Sequence, residues 1–139
     1  MRRRIIGLDL GSKTVGIAKS DLLQTLASPH ETIFFNPNDY KQALHKVIKC
    51  LEDFDVEKIV LGLPKHMSGE VGIRGNISLD FKVELEALGY QVILWDERLS
   101  SKAATNALIQ GNVSRKNRKK VIDQVAAVII LQGYLDSKN

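Results

Sequence analysis

The sequence predicts an α/β fold on a mixed sheet, antiparallel at its start and parallel afterwards. Three observations carry this. The apolar runs RIIGLDL and TVGIAKS are separated only by Gly11-Ser12-Lys13, which is hairpin spacing. Two later apolar runs of strand length, KIVLGL and YQVILW, alternate with segments of helical apolar spacing. Strands that alternate with helices pair in parallel through crossovers.

Arg4 to Leu10 reads as a strand buried on both faces, and Thr14 to Ser20 as its antiparallel partner. Glu31 to Phe35 (ETIFF) is expected as a third strand. Asn36-Pro37-Asn38-Asp39 is a turn and helix start, after which Tyr40, Leu44, Val47, Ile48 and Leu51 keep helical spacing as far as Phe54. Lys58 to Leu63 is a strand ended by Pro64, and residues 65–72 (KHMSGEVG) have loop composition. A helix anchored by Ile77, Phe81, Leu85 and Leu88 stops at Gly89. Tyr90 to Trp95 is a strand. Ser100 or Ser101 then caps a helix to Ile109, followed by Gly111, a basic loop, and a last helix over roughly Lys119 to Leu135. No repeat, low-complexity segment or linker interrupts the chain, so residues 1–139 are expected to form one domain.

Hydrophobic residues make up 44% of the chain, enough for a core and too many for disorder. The net charge of +4 is mild but clustered, in Arg2-Arg3-Arg4 and in Arg115-Lys116-Asn117-Arg118-Lys119-Lys120. Such clusters favour a polyanionic partner, although a solvated loop would look the same. Cys50 is the single cysteine, beside Val47, Ile48 and Leu51 in a helical pattern, where a small core residue is expected. Without a cysteine framework the chain suits a reducing, cytoplasmic setting. Asp9 breaks the N-terminal apolar stretch, which argues against a signal peptide, and no apolar run reaches membrane-spanning length.

One residue of the first strand does not fit its surroundings. A carboxylate buried without compensation costs several kcal/mol or more, yet Asp9 stands near the end of an apolar strand. Asp96 and Glu97 follow the end of YQVILW, and Asp123 lies in KKVIDQVAAVIILQGYL, a helix apolar on nearly every side. Ala126 and Ala127, three and four residues beyond Asp123, are small and let that side of the helix approach the sheet closely. Functional groups in such sheets gather at the carboxyl ends of the parallel strands. Three acids from distant segments therefore suggest a cation site, and oxygen-only ligands suit Mg²⁺ or Mn²⁺. His30, His45 and His66 are scattered, and no Cys/His spacing supports zinc. Each acid has a simpler reading: Asp9 in an Asx turn, Asp123 at a helix N-terminus, Asp96 or Glu97 paired with Arg98 on the surface. Gly7, Gly11 and Gly16 permit tight turning and close approach of backbone to a ligand, with Lys13 and Thr14 where a phosphate could be held.

GLDLGSKTVGIAKSD, VLGLPKHMSGE, WDERLSS and IDQVAAVIIL, in that order and at these separations, resemble the YqgF family over essentially the whole chain. Its members are described as Holliday-junction resolvases and as pre-16S ribosomal RNA nucleases. The resemblance implies a ribonuclease H-like fold whose acids bind divalent metal and cut phosphodiesters. Matched motif by motif, those acids are Asp9, Glu97 and Asp123, both as metal ligands and as catalytic residues. Resolvases of the RuvC type carry their second acid on the strand corresponding to KIVLGLP. That strand has none here, so Glu97 supplies it from the next strand, with Asp96 and Glu70 as the alternatives. Lys65 and His66 stand where kin tend to have uncharged residues. Gly11, Lys13, Thr14, Arg98, Arg115, Lys116, Arg118 and Lys119 would bind substrate phosphates. The implied activity is metal-dependent hydrolysis of structured RNA or branched DNA: 5′-end processing of pre-16S rRNA in ribosome biogenesis, Holliday-junction resolution, or both. No membrane is involved, and the chain would act as a monomer or homodimer.

Two other readings share parts of the pattern. DLGSKTVGIA resembles the phosphate-binding hairpin of actin-like and sugar-kinase ATP-binding domains, but those enzymes close two such domains around the nucleotide. A nucleic-acid-binding module without catalysis would explain the basic clusters, but not three retained acids.

Overall fold

The computed structural model describes residues 3–66, 68–99 and 118–138; of residues 118–124 it describes the backbone. The elements are β1 (Arg4–Leu10), β2 (Thr14–Ser20), β3 (Ala27–Phe34), α1 (Tyr40–Leu51), β4 (Val56–Leu63), α2 (Ile73–Ala87), β5 (Val92–Asp96), a 3-10 turn (Glu97–Leu99) and α3 (Arg118–Lys138). The five strands form one sheet in the order β3-β2-β1-β4-β5. β1 pairs antiparallel with β2, and β2 with β3, whereas β1–β4 and β4–β5 are parallel. This is the mixed sheet that the hairpin and crossover spacings predict.

β1 and β2 have the expected bounds, β4 begins two residues before Lys58 at Val56, and β5 runs from Val92 to Asp96 rather than from Tyr90 to Trp95; β3 departs most. β3 begins at Ala27, four residues before Glu31, and runs through Pro29, which pairs with Ala18 beside a register shift. Proline cannot donate to a ladder, so a proline-bearing strand is tolerated at an edge; β3 is the edge strand. α1 opens on Asp39, whose carboxylate accepts from Gln42 N at 3.1 Å and satisfies one of the helix's unpaired amides. α2 ends at Ala87, before Leu88. The chain turns at Gly89 with φ +97°, a conformation that favours glycine, and Leu88 is 55% exposed rather than an anchor. The helix expected from Ser100 or Ser101 to Ile109 falls outside the described residues.

The two faces of the sheet carry separate cores. On one, Ile6, Leu8, Ile17 and Leu61 meet Ala43, Val47 and Leu51 of α1 and Phe81 and Leu85 of α2. Cys50 is buried there as expected, and burial, then the charge of Glu31, pushes its thiol up to about 11, so it stays protonated. On the other face, Ile5, Ala18 and Val60 meet Ala127, Ile130, Leu131 and Leu135 of α3. Each large side chain buried in this way contributes roughly 1.5–3 kcal/mol.

Candidate active site

β1 sends alternate residues to opposite faces, so Ile5, Gly7 and Asp9 share the side covered by α3. A methyl group at Gly7 would come within 2.8 Å of Leu131 Cβ and 3.0 Å of the Ala127 carbonyl. Its hydrogen is thus what lets α3 approach. The close approach expected of Gly7 is made by a helix, not by a ligand. The small Ala127 is fully buried at this contact, as its size predicts.

α3 runs against β1 in the opposite direction. Near its C-terminal end, Gln132 accepts from Ala27 N at 2.8 Å and donates to the Thr25 carbonyl at 3.0 Å, at the start of β3. Ala27 pairs with Ser20, whose hydroxyl accepts from Ile5 N at the start of β1. The N-terminal part of α3 therefore lies toward the carboxyl ends of β1 and β4. The backbone of Asp123 sits there, one turn before Ala127, about 6 Å along the axis.

Asp9 is partly buried at that carboxyl end, one step past the pairing of Leu8 with Leu61 and opposite Gly16 on β2. The next residue of β4 is Gly62, level with Trp95 of β5. Glu97, first residue of the 3-10 turn, sends its carboxylate back over Gly62. A methyl there would lie 2.6 Å from Glu97 Oε1 and 2.7 Å from Ile130 Cδ1. β4, which carries no acid toward this end, thus leaves the space in which the acid just past the neighbouring strand sits. Trp95 stacks over Gly133 of α3, holding β5 against the same helix. Arg74, in the first turn of α2, donates to the Leu10 carbonyl at 3.0 Å and fixes the end of β1.

The other candidates are placed differently. Asp96 accepts from Arg98 N at 2.9 Å and from its guanidinium at 2.7–3.1 Å, with Lys65 Nζ 3.8 Å away. The hydrogen bonds from Arg98 hold its carboxyl at about 2, well below the usual range, against a smaller opposing effect of burial. Asp96, not Glu97, is the partner of Arg98, so the surface-pair reading holds for that acid. Glu70 is exposed in the loop. Thr14 is buried, with its hydroxyl beside Gly11, and the Gly11 amide donates to the Thr14 carbonyl at 2.7 Å. These two residues shape the hairpin. Lys13 is exposed at its tip. Arg115 and Lys116 fall outside the described residues, and Arg118 and Lys119 begin α3 at the same end of the sheet. Among the described residues no three His, Cys, Asp or Glu side chains gather as a metal cluster; the side chain of Asp123 is not among them.

Sequence reasoning singled out Asp9 and Glu97 and offered Asp96 or Glu97 as the partner of Arg98, but it missed Gly62 and Arg74. A glycine inside KIVLGL, with large neighbours on both sides, was the available signal for Gly62.

The sequence profile described as RuvX, Holliday junction resolvase, matches residues 3–137. The chain belongs to this family. It is 50% identical over 137 residues to a Bacillus subtilis protein provisionally named pre-16S rRNA nuclease, covering 98% of this chain and 99% of that one. A Staphylococcus saprophyticus protein of the same provisional name is 48% identical over 139 residues, covering 99% and 98%. Among solved structures, Thermus thermophilus RuvC in complex with a Holliday junction superposes with a TM-score of 0.59 at 14% identity, covering 98% of this chain and 95% of that one. The fowlpox virus resolvase bound to Holliday junction DNA gives 0.61 at 15% identity, covering 97% and 98%. The chain therefore has the ribonuclease H-like fold of these resolvases. No helix among its described residues is long and apolar enough to cross a membrane.

Proposed function

We propose that the chain is a divalent-metal-dependent nuclease acting on the phosphodiester bonds of structured nucleic acid. The observation that carries this is the Glu97 carboxylate, seated over Gly62 on the same face and at the same end of the sheet as Asp9. Two half-buried carboxylates, one at the end of β1 and one just past β5 with β4 between them, and the backbone of Asp123 at the facing helix end would give an oxygen donor set of the kind that Mg²⁺ or Mn²⁺ takes. Asp9, Glu97 and Asp123 would hold the metal, which when bound polarises the phosphoryl group and activates a water.

The rest of the site orients substrate. Lys13, and Arg115, Lys116, Arg118 and Lys119 before and at the start of α3, would pair with flanking phosphates and bring the backbone of the nucleic acid across the acids. α3 walls the acids off from one side, which lowers the local dielectric and strengthens their hold on a cation.

The names of the relatives support pre-16S rRNA as substrate, and the description of the family supports four-way DNA junctions. Both substrates, incubated with the protein and Mn²⁺ or chelator, test the reading. The expected result is Mn²⁺-dependent cleavage that Asp9→Asn abolishes while binding is largely kept, because the substitution removes charge at nearly constant shape. Cleavage in chelator, or wild-type turnover by Asp9→Asn with host nuclease excluded, would overturn it.

A further inference from the structure

The turn that carries Glu97 is gripped on both sides by one carboxylate. Asp96 ends β5, paired with Leu63, and its Oδ1 accepts from the backbone N–H of Arg98 at 2.9 Å. The residues before and after Glu97 are thereby tied to each other, which fixes the backbone of the acid between them. The Arg98 guanidinium folds back onto the same carboxylate, Nη2 to Oδ2 at 2.7 Å and Nε to both oxygens at 3.1 Å. Such forked, charge-assisted bonding is more directional than an ordinary surface ion pair.

The same group also reaches the loop after β4. Lys65 Nζ approaches Asp96 Oδ2 at 3.8 Å. The Arg98 guanidinium lies against Gly69, 3.4 Å from where a methyl would stand, and Gly69 has φ +92°. His66 N donates to the Glu70 carbonyl at 2.9 Å and Gly69 N to the His66 carbonyl at 2.8 Å, closing the loop on itself. The loop is thus held at its start and at its turn by the cluster that sets Glu97.

We propose that Asp96, with Arg98 and Lys65, is a positioning latch that keeps the Glu97 carboxylate over Gly62 and couples the loop after β4 to it. The proposal rests on the reading of Glu97 as a metal ligand. It gives Arg98 a positioning role in place of the phosphate contact expected from the sequence. Groups that orient a ligand from behind it commonly change metal affinity or activity by ~10–100-fold when altered.

Asp96→Asn, Arg98→Lys, their combination and Glu97→Gln are compared in three measurements: the Mn²⁺ concentration that half-saturates the thermal shift without substrate, the single-turnover cleavage rate, and the rate of trypsin cleavage after Lys65. The latch predicts that Asp96→Asn and Arg98→Lys each raise the half-saturating Mn²⁺ by ~10–100-fold. Excess Mn²⁺ should recover much of the cleavage rate, and trypsin should cut faster after Lys65. The double variant should be no worse than the more damaging single one, because both break the same contact. Asp96 and Arg98 variants with wild-type Mn²⁺ dependence, beside a Glu97→Gln that has lost the response, would overturn the latch and leave the metal site standing. A Glu97→Gln with an unchanged Mn²⁺ response would overturn the metal-ligand reading and the latch with it.

Discussion

Leu61 and Gly62 are neighbours on β4, and they show how differently the two faces of the sheet are built. Leu61 points into a core of large side chains beneath α1 and α2, where volume does the packing. Gly62 points toward α3, where Glu97 and Ile130 occupy the space that a side chain would take. The α3 face repeats this at Gly7, which meets Leu131, and at Gly133, which meets Trp95. One face is spaced by side chains and is served by apolar bulk. The other is drawn in by their absence, and at Gly62 the Glu97 carboxylate takes the room a side chain would need.

The largest effect should come from the bulky face. Leu61→Ala removes a fully buried side chain and should cost about 2–5 kcal/mol of stability. Cleavage per folded molecule and the Mn²⁺ shift should stay near wild type, as denaturant melts and activity assays on the same samples would show. Loss of the Mn²⁺ shift in the folded fraction would mean that the two faces are not separable.

Gly62→Ala should reverse the pattern. Its new methyl would press on Glu97 and on Ile130, and overpacking of this kind costs about 1–3 kcal/mol. The carboxylate must move, so the Mn²⁺ shift and cleavage should fall well beyond what the stability loss explains. An alanine variant with normal Mn²⁺ dependence would show that Glu97 does not need its seat over β4.

The smallest effect concerns the turn that anchors the far end of α3. Asp21 accepts from Leu26 N at 3.0 Å and from Thr25 N at 2.8 Å, and these bonds lower its carboxyl below the ordinary value. A group with a lowered folded pKa gives stability that is present above the unfolded value and lost as pH falls through the folded one. The wild type should therefore lose stability below about pH 4. Asp21→Asn should be slightly less stable at neutral pH and show a flatter acid limb in melts across that range. An identical acid limb would remove Asp21 from the account of how α3 is held.

Much of the fold was legible because its signals are local. RIIGLDL and KIVLGL are strands on composition, and the three-residue gap before TVGIAKS sets the hairpin. The start of β3 was not legible, because Ala27-Ser28-Pro29-His30 is extended through its pairing with β2 rather than by its own propensity. Leu88 keeps the helical spacing but lies past the last turn, where the chain reverses at Gly89. Asp9 stood out as an acid among apolar neighbours, whereas Glu97 was singled out only through the WDERLSS motif. The seat over Gly62 was not legible, because it depends on which strands lie side by side, and a linear pattern does not carry that; nor did the sequence tell which of Asp96 and Glu97 Arg98 would hold.

The claim that the α3 face is a metal site rests most directly on how Mn²⁺ stabilises the folded chain. Thermal melts of wild type and Asp9→Asn, each in chelator and in Mn²⁺, measure this without any substrate. A ligand that binds only the folded state raises the melting temperature by mass action. Wild type should melt higher in Mn²⁺ than in chelator. Asp9→Asn should melt at or above wild type in chelator, since like charges at the site no longer repel, and should lose most of the Mn²⁺ shift. An Asp9→Asn protein that melts lower in chelator and keeps its full Mn²⁺ shift would contradict the account.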